Sequence, residues 1–85
     1  MSDEVPCACC GYLTVSERGS FEICSVCFWE DDGQDDSEAH VIKGGPNGAM
    51  SLSQARTNFQ LFGACELDHI RSVRRPFSNE FPDSQ

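Results

Sequence analysis

Two Cys-x-x-Cys pairs, Cys7 with Cys10 and Cys24 with Cys27, constrain this chain more than any other feature of its sequence. Thirteen residues separate the pairs. Two cysteines three apart can turn around one ion and hold both sulfurs about 2.3 Å from it, so each pair supplies half of a tetrahedron. The spacing therefore predicts a four-thiolate metal site with Cys7, Cys10, Cys24 and Cys27 as ligands. Zinc is the expected ion, and iron in a rubredoxin-like site is the alternative, because a tetrahedron of thiolates accepts either. The competing reading is that these are ordinary buried or reactive thiols, but doubled pairs rarely arise by accident in so short a chain.

Length makes such a site valuable. The chain has 85 residues, and near roughly 70–80 residues a core alone seldom supplies more than about 3–5 kcal/mol. Zinc bound by four cysteines contributes on the order of 10–16 kcal/mol in small peptides, so the metal is expected to decide whether the domain folds. The N-terminus Met1-Ser2-Asp3-Glu4-Val5-Pro6 lacks a basic, then apolar, leader, and no window approaches the ~18–20 apolar residues of a membrane span. A cytoplasmic location is expected, where thiols stay reduced and metal binding or redox chemistry outweighs disulfides.

Between the pairs, Tyr12-Leu13-Thr14-Val15 and Ser20-Phe21-Glu22-Ile23 are β-prone runs joined by the polar turn Ser16-Glu17-Arg18-Gly19, which together predict a β-hairpin. Gly11 directly after Cys10 suits a turn into positive φ. Phe28 and Trp29 after Cys27 are placed to wall the site from water. Ser51 with Gln54 three residues on predicts a helix start, Leu52, Ala55, Phe59 and Phe62 share one face, and Gly63 is the stop. A second short helix is expected over 66–73, with Leu67, Ile70 and Val73 three apart. The fold expected is a small α+β metal-binding domain over 1–76: a zinc-ribbon or rubredoxin-like β-hairpin with two zinc knuckles and one or two C-terminal helices. Its core would join Tyr12, Phe21, Ile23, Phe28 and Trp29 to Leu52, Phe59 and Phe62. Residues 77–85 lack periodicity and read as a flexible tail.

The run Cys7-Ala8-Cys9-Cys10-Gly11-Tyr12-Leu13-Thr14, with Ser16 to Gln34 after it, resembles the bacterial cysteine-rich CPCC family. Gly44-Gly45-Pro46-Asn47-Gly48, Ser51-Leu52, Ala55-Arg56, Asn58-Phe59 and Phe62-Gly63-Ala64-Cys65 are similar to its later motifs, so the resemblance covers about residues 5–76. It implies a small zinc-binding protein and leaves the biological role open. Two departures stand out: Ala8 replaces the proline that gives the family its name, and Ser25 replaces the proline of the second knuckle. Without those rings to fix φ, both knuckles are expected to be less rigid before metal binds.

Cys9 and Cys65 are left over. Cys9 could stand in for Cys7 or Cys10, but Cys9 and Cys10 are adjacent and cannot form a two-residue knuckle. Cys65 reads as a small buried hydrophobe, with no neighbouring histidine to activate it. His40 and His69 are single histidines, expected to be structural or exposed. No catalytic constellation or phosphate loop is visible, so no enzymatic activity is expected.

Charge is uneven. The net charge is −8, with −9 in residues 1–38 and +1 in the rest. Glu30 to Glu38 packs six carboxylates into nine residues without the alternating acids and closing glutamate of a calcium loop, and reads as a solvated surface. If it has a role, a basic protein partner is the expectation. The function class expected is therefore a structural zinc protein acting as an interaction module. A redox protein with rubredoxin-like iron or a cycling Cys-x-x-Cys pair is the first alternative. A nucleic-acid-binding zinc ribbon using Arg71, Arg74 and Arg75 is the second. Four thiolates around a divalent ion add −2, which makes the acidic half still less welcoming to phosphate.

Overall fold

A computed structural model of the chain describes residues 4–82. Strand β1 (Val5–Pro6) pairs antiparallel with β2 (Leu13–Val15), Val5 opposite Val15 and Pro6 opposite Leu13. The first cysteine pair lies in the loop between them. One helix, α1 (Leu52–Phe62), follows a long irregular stretch, and short 3₁₀ turns occupy Asp36–Glu38, Gly45–Asn47, Leu67–Ser72 and Ser78–Glu80. The result is a small mixed α and β domain with one two-stranded hairpin and one α-helix among the described residues.

The hairpin expected from Tyr12–Val15 and Ser20–Ile23 does not form. The second run instead folds back on the residues beyond Cys27: Phe21 N–H donates to Asp31 O, Asp31 N–H to Glu22 O, and Ile23 makes a bridge with Glu30. Phe21 has φ +63°, which breaks an extended run. Glu22 also folds over the turn, accepting from the Ser16 backbone, the Ser16 hydroxyl and the Ser20 hydroxyl. Those donors, the Ser16 hydroxyl first, bring its carboxyl down to about 2. Each cysteine pair therefore has its own short return of chain, and Phe21 and Ile23, expected in the core, are about half exposed.

The helix forms as its ends dictate. Gln54 N–H donates to Ser51 Oγ at 3.1 Å, and Gly63 closes the last turn at φ +85°, donating to Phe59 O. Leu52 and Ala55 are fully buried against a core of Trp29, Val15, Val26 and the cysteines, with Phe59 packed at its margin. Burying a side chain such as Leu52 contributes about 1.5–3 kcal/mol. Phe62 is only half-buried. A Cβ at Gly63 would meet nothing within 4 Å, so Gly63→Ala isolates the backbone cost of a left-handed residue. The expected result is a stability lower by about 1–2 kcal/mol, read as an earlier denaturant midpoint with an unchanged slope.

The helix reaches both cysteine turns. Arg56 Nε donates to Ala8 O in the first, and Asn58 Nδ2 holds Cys65 O while Cys65 N–H donates to Cys27 O in the second. The 66–73 segment is a 3₁₀ turn rather than an α-helix, and Leu67 and Ile70 are exposed. In the stretch from residue 77 onwards, Glu80 is buried and receives both Arg74 Nη atoms at 2.8 and 2.9 Å, while Phe81 meets Tyr12 edge-on at 5.1 Å. Residues 83–85 lie outside the described part. No helix among the described residues is long and apolar enough to cross a membrane.

Candidate metal centre

The two cysteine pairs sit in turns of the same construction. In the first, Gly11 N–H donates to Cys7 O at 2.9 Å and Cys7 N–H to Tyr12 O at 2.8 Å. In the second, Phe28 N–H donates to Cys24 O at 2.8 Å and Cys24 N–H to Trp29 O at 2.9 Å. The residue after each second cysteine has positive φ: Gly11 at +83° and Phe28 at +72°. Glycine tolerates this and phenylalanine does not, so Phe28 holds a conformation costing roughly 1–2 kcal/mol. The sequence signalled the first of these turns through Gly11 and gave no such signal for the second.

Packed together, the turns bring Cys7, Cys10, Cys24 and Cys27 into one cluster, all four Sγ atoms within 4.8 Å of one another. Cys7 and Cys27 Sγ are 3.6 Å apart, and Cys10 and Cys24 Sγ 3.7 Å. A tetrahedron with arms near 2.3 Å has an edge of ~3.8 Å, so these separations fit a single ion between four sulfurs. All six cysteines are free thiols. Trp29, fully buried, stands behind the second turn, and Cys10 alone of the four is more than marginally accessible.

Four thiols at such distances share protons unequally. Hydrogen bonds from Cys10, then Cys27 and Cys7, with Thr14 after them, hold Cys24 well below the ordinary thiol range. Cys27 is pushed up by Cys10 first, then by Cys24 and Cys7, with Cys9 adding less. Cys10 is likewise pushed up, by Cys24 first, so negative charge gathers on Cys24 while Cys10 and Cys27 keep their protons, and metal binding would release those. Thr14 Oγ1 lies 2.9 Å from Cys24 Sγ and Val26 N–H donates to the same sulfur at 3.3 Å. Both stabilise a thiolate there. Nothing in the spacing pointed to Thr14; only the strand pairing of β2 brings its side chain over the second cysteine turn.

Cys9 is buried beside the cluster without joining it, and Cys65 is buried too, its thiol pushed up to about 12 chiefly by desolvation. A thiol protonated at neutral pH is a poor nucleophile. The acidic run is less solvated than its composition suggests. Asp31 is 1% exposed and accepts from Arg18 Nε at 3.0 Å, Gly19 N–H at 2.9 Å and Gly33 N–H at 3.1 Å. Asp36 pairs with Arg56 and Glu38 with Lys43. His40 is exposed, whereas His69 is half-buried and lies against Phe28, ring centroids 4.2 Å apart. Of the three arginines grouped in the sequence, Arg74 is engaged by Glu80 and stacked over Phe77 at 3.8 Å.

Comparison with curated proteins and with solved structures gives no match. The family described as Cysteine-rich CPCC matches residues 5–80, reaching past the C-terminal boundary drawn from periodicity and taking in the Arg74–Glu80 pair. With both cysteine turns, the helix and the docked segment inside that match, the chain belongs to the cysteine-rich CPCC family.

Proposed function

We propose that this is a structural zinc-binding domain that serves as a protein-interaction module, with Cys7, Cys10, Cys24 and Cys27 holding one Zn²⁺ and no catalytic role. The supporting observation is the set of four sulfurs at tetrahedral separations, closed behind Trp29, in two turns of like construction. Four protein ligands leave no position for a substrate or water, the pattern of a structural rather than a catalytic ion. The paired turns also support reading the cysteine half as a zinc-ribbon or rubredoxin-like module. Thiolates of this kind persist in a reducing compartment, so the proposal places the domain in the cytoplasm.

Elemental analysis of protein purified without added metal tests the reading. One equivalent of zinc and a colourless solution are expected. A red protein carrying iron would move the chain to electron transfer, and folded protein with neither metal would sink the proposal.

A further inference from the structure

Beside the candidate metal centre lies a cleft of about 650 Å³ whose lining includes Ile23, Phe28 and Met50. Its polar lining is one-sided. Asn58 directs its amide N–H groups to Cys65 O and Met50 Sδ, and Asn47 directs its own to Glu30 O. Gln54 gives an N–H to Asn58 Oδ1. The ionisable groups of the lining are the carboxylates of Glu30 and Glu66, with His69 the only basic side chain. Glu66 has His69 at 3.6 Å, and Phe28 offers its ring beneath that histidine. No lysine or arginine borders the cleft.

Phe28 is the second indication. The equivalent position in the first turn is Gly11, so the turn itself asks for no side chain there, yet a large aromatic is held at φ +72° and forms cleft wall. Backbone strain of this kind gathers at binding sites, where a side chain must stand in one place.

We propose that this cleft binds a segment of a partner protein carrying an arginine or lysine next to an apolar residue. The cation would lie between Glu30 and Glu66, and the apolar neighbour against Phe28, Ile23 and Met50. Two carboxylates beside apolar side chains and a net charge of −8 complement such a segment and oppose an acidic one. The inference rests on the interaction role proposed above and gives it a place on the surface that takes only Glu30 from the acidic run.

The test titrates zinc-loaded, isotope-labelled protein with acetyl-leucyl-arginine amide and with the neutral acetyl-leucyl-citrulline amide, following backbone and side-chain amide signals. Saturable shifts at Gln54, Asn58 and Phe28 are expected with the arginine peptide, with binding at least about tenfold weaker for citrulline. Glu30→Gln with Glu66→Gln should keep the metal and the spectrum while losing that preference. Equal binding of both peptides, no shifts, or shifts confined to residues 31–38 would overturn the inference. Because the sample is metal-loaded and folded throughout, those results leave the zinc reading untouched; that reading stands or falls on metal content alone.

Discussion

Cys24→Ser is expected to strip the metal and unfold the domain. Cys24 is the sulfur best prepared to carry charge: it takes the Thr14 hydroxyl and the Val26 N–H, and its neighbours lower its proton affinity. Serine keeps the volume but offers a hard, protonated oxygen to a soft-ligand site. A structural zinc ion contributes on the order of 10–16 kcal/mol against the few that a core of this size supplies, so on the proposed function losing the site would exceed the whole stability of the chain. Circular dichroism and amide dispersion, recorded with metal content on the same sample, give the answer. A folded Cys24→Ser protein with a full equivalent of zinc would require a different ligand set, and Cys9, buried next to Cys27, is the replacement to examine.

The second large effect is expected away from the metal, at Asp31. Its carboxylate is shut from water and accepts from one guanidinium and two backbone N–H groups, tying the 16–19 turn to the chain beyond Trp29. Hydrogen bonds involving a charged group are worth about 1.5–3 kcal/mol, and the buried Asp31 carboxylate accepts three of them. Asp31→Asn keeps the shape and removes the charge, and should cost roughly 3 kcal/mol in denaturant unfolding of the zinc-loaded protein. Asp36→Asn provides the contrast. That side chain is 89% exposed, so its pair with Arg56 should change stability by less than about 1 kcal/mol. Equal effects at the two positions would show that Asp31 is not the anchor its burial implies.

The cysteine cluster and the helix were legible in the sequence because each depends on local spacing. Cys7, Cys10, Cys24 and Cys27 come together through turns of four residues, and α1 begins and ends where Ser51 and Gly63 put its caps. Strand pairing was not legible. Leu13–Val15 is three residues long, too short for a period of two to establish a partner, and Phe21 is β-prone by composition but left-handed in fact. Asp31 was hidden for the opposite reason: set among five other carboxylates, it reads as surface, and only the fold brings Arg18, Gly19 and Gly33 around it. Glu80 and Phe81 dock on Arg74 and Tyr12, contacts that no periodicity announces.

The like construction of the two cysteine turns has a consequence for the order of assembly. Each turn is closed by its own short-range hydrogen bonds, so each can form alone as a two-sulfur claw within microseconds, before any distant part of the chain is in place. Joining the claws is the step that costs loop entropy, because thirteen residues separate them and must be gathered at once. An ion caught by one claw offers the other a target, which turns a weak tertiary encounter into ligand exchange at a fixed centre. On the proposed metal site, the ion would act as the nucleus around which the halves meet, and its supply, as much as the sequence, would set the pace at which this chain becomes a domain.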